Sequence, residues 1–286
     1  MNIYKKRILS ILSVALVMCI LLTGCNSPGG KGTPKVAYNV QVETVGGMPL
    51  EDIKVTVYKD GEMQNLQWAA ETDNDGIITF NAEPSKTYYA VLEEVPDGYK
   101  VESNYKIDSE NTYILLATNI ADANDMSSVT YKLGSVVHDF TVNATNGKEY
   151  KISDLLKTKK AVVLNFWFLN CQPCKMEFPY LQQAYIDYQD DIALLAINPY
   201  DGTDDTVSAY AAENNLTFPM ASEDAEWADI MQLTAYPTTV VIDRYGTICM
   251  IHKSAVTSKE EFTKVFEYFT ADDYRQTLIK NISDIE

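Results

Sequence analysis

The chain has 286 residues, a formal net charge of −17, 46% hydrophobic residues and 22% charged residues. That hydrophobic share is ordinary for folded protein and excludes both a disordered chain and a multi-span membrane protein, while the length suits about two domains. The acidity argues against nucleic acid as a partner, because its phosphates would be repelled.

In chain order, residues 1–24 read as an address. Lys5, Lys6 and Arg7 precede an apolar run from Ile8 to Leu22, the order of a secretory signal. The run ends in Leu22-Thr23-Gly24-Cys25, which resembles a bacterial lipobox. That resemblance implies a lipidated Cys25 as the new N-terminus and a stable diacyl membrane anchor. An uncleaved N-terminal helix is the alternative, and either reading puts the rest of the chain outside the cytoplasm. Removing residues 1–24 takes away three cations and no acids, so the charge goes from −17 to −20, which suits a domain held off an anionic surface. Residues 25–35, rich in Gly and Pro, read as a tether.

Residues 36–120 change to short alternating runs, such as Ile53 to Tyr58 and Thr87 to Leu92, separated by Gly46-Gly47, Asp60-Gly61, Asp75-Gly76 and Pro96-Asp97-Gly98. This punctuation predicts an all-β antiparallel sandwich. The stretches Leu50 to Tyr58 and Val91 to Tyr99 resemble the Cna-B or prealbumin-like domains of surface proteins. A passive spacer is the default role for such a unit and a partner-binding module the sharper one. Some members of that family carry an internal Lys–Asn isopeptide bond, and no such triad is assigned here.

Residues 121–133 are polar and read as a linker, and residues 134–286 as a second unit. It opens with a hairpin around Asn146-Gly147, a short helix at Ser153 to Leu156 and an apolar strand from Ala161 to Phe168. A helix follows through Phe178, Leu181, Ala184 and Tyr185, with a kink expected at Pro179. Asp191 to Asn198 has the fully apolar character of a buried parallel strand. Helices are predicted at 205–215, 225–233, from 258 through the Phe262, Val265, Phe266, Phe269 stripe, and again to about Ile282; strands are predicted at 238–242 and 248–252. This alternation gives a three-layer α/β domain.

Chemistry concentrates at Cys171-Gln172-Pro173-Cys174, where a strand runs into a helix start. A thiolate is the attacking species in disulfide exchange, and a helix N-terminus steadies it with unpaired N–H groups. Cys171, at the cap, is therefore expected to be the exposed nucleophile, and Cys174, on the same helical face, the resolving thiol. Pro173 fits the first turn, where its missing N–H costs nothing. Of the five cysteines, Cys19 leaves with the signal, Cys25 takes lipid, and Cys249, in an apolar strand, reads as a core residue rather than a redox partner. His138 and His252 lack metal-ligand spacing, so no metal and no cofactor is expected.

This second unit resembles the TlpA/ResA-like branch of the thioredoxin superfamily. The matching residues are Asp139-Phe140, Phe166-Trp167, Cys171-Gln172-Pro173-Cys174, Glu177-Phe178-Pro179, Tyr236-Pro237-Thr238 and Val241-Ile242-Asp243. The resemblance implies an α/β thioredoxin fold, a redox disulfide between Cys171 and Cys174, and Glu177 as a proton shuttle of raised pKa. A solvated glutamate favouring the helix dipole is the alternative for Glu177. It further implies a cis bond before Pro237 that turns the Tyr236 backbone toward an incoming strand, and Trp167 as a wall of the substrate site. By the same resemblance the activity is thiol–disulfide exchange with secreted proteins such as apocytochrome c, recharged by a membrane donor of CcdA type, with the reductant direction favoured over the oxidant. The competing function is an adhesin-like surface lipoprotein. A peroxidase of peroxiredoxin type is disfavoured, because position 168 is Phe where such enzymes carry Thr. One departure concerns Asn170: many relatives carry an aromatic residue directly before the first cysteine.

Overall fold

A computed structural model describes residues 34–120, 129–223 and 225–285. The signal, Cys25, most of the tether and most of the linker lie outside the described residues. From Lys35 onward the chain forms one compact unit.

The N-terminal part is a sandwich of two sheets. One orders β4 (Ile77–Ala82), β1 (Val36–Thr44) and β7 (Asn111–Leu116); the other orders β3 (Leu66–Glu71), β2 (Lys54–Tyr58), β5 (Tyr88–Glu93) and β6 (Tyr105–Ile107). Alternation dictates the inner face: Tyr38, Val40, Val42 and Thr44 of β1 are buried while the intervening residues are less so. Tyr38, Phe80 and Tyr88 meet with ring centroids 5.3–5.7 Å apart and centre the core. The Asp75-Gly76 turn into β4 needs its glycine, since φ is +73° and a Cβ there would strike the Val42 carbonyl oxygen.

Two expectations need correction here. The sandwich is not wholly antiparallel, because β7 pairs parallel to β1, Asn39 opposite Asn111 through Thr44 opposite Leu116. Strands β3 and β6 also form where no strand was expected. β3 is exposed along nearly its whole length and lacks an inward apolar face, so alternation could not mark it.

The C-terminal part opens with the expected hairpin, β8 (Thr141–Asn143) and β9 (Glu149–Lys151), followed by α1 (Ile152–Leu155). Its central sheet orders β12 (Met220–Ser222), β11 (Ile192–Asn198), β10 (Ala161–Phe166), β13 (Thr238–Asp243) and β14 (Ile248–His252). β10, β11 and β12 run parallel, and β13 lies antiparallel to both β10 and β14, so the sheet is mixed. Every residue of β10 and β11 is buried, which follows from cover on both faces. On one face pack α2 (Gln172–Tyr188), α3 (Asp204–Glu213) and α5 (Lys259–Thr270), through Phe178, Leu181, Val207, Phe262 and Phe266. On the other, Trp227 of α4 (Glu226–Ile230) stands edge-on to Phe140 at 4.8 Å. α2 runs unbroken through Pro179.

No further helix follows α5 before a single 3-10 turn at Ile282–Asp284, contrary to expectation. The backbone N–H groups of this tail go outward instead: Gln276 N donates to Gly46 O at 2.9 Å and Ile279 N to Cys249 O at 2.7 Å. A helical ladder cannot form once its donors are taken by the sandwich and by β14. The tail is thus a strap that touches both parts of the molecule.

Candidate active site

β10 delivers the chain to the site. After Phe166 the backbone stays beside β11 for one more residue, with Trp167 N donating to Ile197 O at 3.0 Å, then turns so that Cys171 N reaches Phe168 O at 3.0 Å. Cys171 has extended backbone angles, φ −80° and ψ 100°, and caps α2. Its sulfur accepts from Cys174 N at 3.2 Å, the bond a serine oxygen makes at an ordinary cap. Pro173 sits in the first turn without leaving a donor unpaired.

Cys171 and Cys174 are joined in a disulfide, with Cα atoms 5.3 Å apart. Cys171, expected to be exposed, is only 3% exposed, and Cys174 is 0% exposed. Burial follows from the bond itself, which pulls the cap sulfur onto the helix and into the cluster containing Trp167 and Phe178. The small remainder still decides which sulfur a partner reaches first, and the flanking Gln172 and Pro173 are exposed.

The Tyr236–Pro237 bond is cis. Antiparallel pairing sets Phe166 opposite Thr238, so the cis bond stands at the same end of the sheet as the disulfide. The Tyr236 ring meets Phe168 edge-on at 5.2 Å, and Phe168 contacts Tyr200 at 5.7 Å. Tyr200 is 76% exposed and extends this aromatic rim into solvent. Trp167 is fully buried, T-shaped against Phe178 at 5.1 Å, so it supports the site from beneath.

Glu177 is fully buried one turn beyond Cys174. Asn165 Nδ2 donates to its Oε1 at 2.8 Å and Val256 N to its Oε2 at 3.1 Å. Desolvation pushes this carboxyl up to about 7, against those two donors, which favour the charged form. The solvated alternative for Glu177 is excluded by its burial. Asn165 also donates to Thr239 Oγ1 at 3.1 Å, so one amide aligns the acid with the sheet.

Asn165, Asn198 and Asp201 carry no motif, and reading the sequence missed them. The available signal was an asparagine inside each of two otherwise apolar strands, a placement that demands a buried partner. Cys249 is buried and free, as expected for a core residue. His138 meets the Tyr131 hydroxyl at 3.2 Å and His252 meets Ser254 Oγ at 2.8 Å. Among the described residues no group of three His, Cys, Asp or Glu could hold a metal ion.

Comparison with known proteins places these features. The AhpC/TSA family matches residues 133–251, and a prealbumin-like fold domain matches residues 39–121. The chain is 31% identical over 144 residues to the thioredoxin-like protein YneN of Bacillus subtilis, covering 50% of this chain and 84% of that one. It is 31% identical over 147 residues to the thiol-disulfide oxidoreductase ResA of Oceanobacillus iheyensis, covering 50% of this chain and 73% of that one. The crystal structure of StoA from Bacillus subtilis is 23% identical, with a TM-score of 0.39, over 46% of this chain and 98% of that one.

Proposed function

Because this chain belongs to the ResA-like family of thioredoxin-fold thiol–disulfide oxidoreductases, we propose that it works outside the cytoplasm, lipid-anchored through Cys25, as a reductant of disulfides in secreted proteins. The disulfide at the tip of α2, with Cys174 N directed at the Cys171 sulfur, carries the reading.

In the reduced form Cys171 is the attacking thiolate, steadied by the helix start and by the N–H of Cys174. It bonds to one sulfur of the substrate disulfide and expels the other as a thiolate. Cys174 then attacks Cys171, closes the internal disulfide and releases the substrate as a dithiol. Cys174 must lose a proton to do so, and Glu177, balanced near pH 7, is the group that takes it. Tyr236 and Pro237 flank the incoming strand, and buried Trp167 fixes the floor on which the pair sits. An apocytochrome c with its cysteines oxidised is a fitting substrate, and a membrane dithiol carrier of CcdA type a fitting source of electrons.

Insulin reduction by Cys171→Ser and Cys174→Ser variants tests the mechanism. Loss in both is expected, with Cys174→Ser accumulating mixed disulfide; unchanged turnover in either would discard it. Equilibration in glutathione buffers tests direction. A potential near that of thioredoxin, about −270 mV, supports the reductant, and one near −120 mV the oxidant.

A further inference from the structure

We propose that Asp201 is a positioning residue that sets the redox potential of the dithiol, by clamping the residue before Cys171 against a fixed negative charge. The proposal deepens the reductant reading and rests on it.

β11 ends at Asn198, which is fully buried. Its Oδ1 accepts from Tyr200 N at 3.0 Å and Asp201 N at 3.1 Å, and its Nδ2 donates to Asp201 Oδ1 at 3.1 Å. This closed turn aims the Asp201 carboxylate at the loop between β10 and α2. There Oδ1 accepts from Leu169 N at 2.6 Å, while Oδ2 accepts from Asn170 N at 3.2 Å and from Asn170 Nδ2 at 3.0 Å. The Asn170 amide thus adds a side-chain donor to this carboxylate beside the two backbone N–H groups.

The clamp acts on Cys171 in two ways. It turns the two N–H groups just ahead of the cap toward Asp201, so they are not free to steady a thiolate. It also fixes an anion beside the residue preceding the nucleophile, where Coulomb repulsion opposes a second negative charge. Lys175, the cation in the first turns of α2, lies over the Tyr210 ring at 5.4 Å. Both effects disfavour the thiolate-bearing state relative to the disulfide. The pair consequently gives up its two electrons more readily, the opposite of a dithiol whose reduced form is stabilised.

The test uses the intact chain in glutathione redox buffers, with the Cys171 pKa read from alkylation rate against pH. Asp201→Asn keeps an oxygen for Leu169 and removes the charge. It is expected to shift the equilibrium about three- to tenfold toward the dithiol and to lower the Cys171 pKa. Asn170→Ala leaves the charge and both backbone donors in place and is expected to move the equilibrium less than about twofold. An Asp201→Asn protein that loses thermal stability but keeps the wild-type potential and Cys171 pKa would overturn the proposal, as would a shift toward the disulfide. Failure of the wild-type chain to reduce insulin would instead overturn the functional reading, so the two failures are distinguishable.

Discussion

Two buried carboxyls in this molecule each keep company with cysteine, at opposite ends of the same sheet, and their surroundings differ. Glu177 lies one turn past the disulfide with two donors, and burial lifts its carboxyl to about 7. Asp243 closes β13 at the far end and accepts from five: Tyr245 N and Thr247 N on Oδ1, and the Cys249 thiol, Tyr274 hydroxyl and Gln276 amide on Oδ2. Burial pushes Asp243 upward too, while its donors pull the other way by favouring the charged form, and the Cys249 thiol is driven far above its ordinary value by burial and by that neighbouring carboxyl. An acid beside a sulfur is therefore not a redox site by composition. It becomes one where donors are few, a helix start faces the sulfur and the backbone opens to a partner.

The sharpest way to break that contrast is at the sulfurs. Cys171→Ser should cut insulin reduction by roughly 10³-fold or more, since among the described residues the one cysteine outside the disulfide, Cys249, is buried. Activity surviving the substitution would return the dithiol end to the status of the Asp243 end. Glu177→Gln comes next, with a loss of about 10²-fold at neutral pH and disappearance of the step near pH 7 in the rate profile. Its stability has a definite sign. The folded carboxyl titrates at about 7 against an ordinary 4.5, so between those values the folded chain holds a proton that the unfolded chain releases. Wild-type stability should fall as pH rises through that window by up to roughly 3 kcal/mol, and the variant should lack the fall. Parallel stability curves for the two proteins from pH 4 to pH 8 would show that Glu177 does not titrate in this way.

At the other end the same logic predicts stability without chemistry. Asp243→Ala strands five donors in a dry site and should cost about 3 kcal/mol or more, read from urea unfolding, while insulin reduction below the melting transition stays near wild type. The effect should reach the sandwich, because Gln276 bonds Asp243 through its side chain and Gly46 through its backbone. If Asp243→Ala shifted the dithiol potential as strongly as Glu177→Gln shifts the rate, the two ends would be coupled and the contrast would fail.

The two ends also differed in how far the sequence disclosed them. Cys-x-x-Cys after a strand announces the dithiol end by local rules, since a helix start tolerates Pro173 and steadies a thiolate, whereas the cis bond in Tyr-Pro-Thr follows from the family resemblance. Glu177 was within reach by its helical spacing from Cys174. The Asp201 clamp was not, since it joins residues more than thirty positions apart through turns that carry no hydrophobic period. The strap after Thr270 was misread as helix for a related reason: its backbone donors are claimed by Gly46 and Cys249, partners supplied by distant segments. Likewise β12, three residues long, borrows its order from β11 rather than from its own composition.

The smallest expected effect tests the contrast most directly, because it concerns the two kinds of cysteine themselves. Cys249 is fully buried and its thiol donates to Asp243 Oδ2 at 3.4 Å, a weak bond at sulfur distance. Cys249→Ala removes one heavy atom beyond the methyl from a packed core, so it should cost about 1 kcal/mol and leave the dithiol–disulfide equilibrium untouched. Alkylation of the fully reduced native chain should follow the same division. Cys171, at the helix tip, should react as its thiolate forms, and Cys249 should stay unmodified until the chain unfolds, because a raised pKa and a sealed site both withhold the reactive anion. Mass mapping of the alkylated cysteines decides the matter: label on Cys249 at native pH, at a rate comparable to Cys171, would mean that the Asp243 end opens in solution and that burial does not separate the two sites.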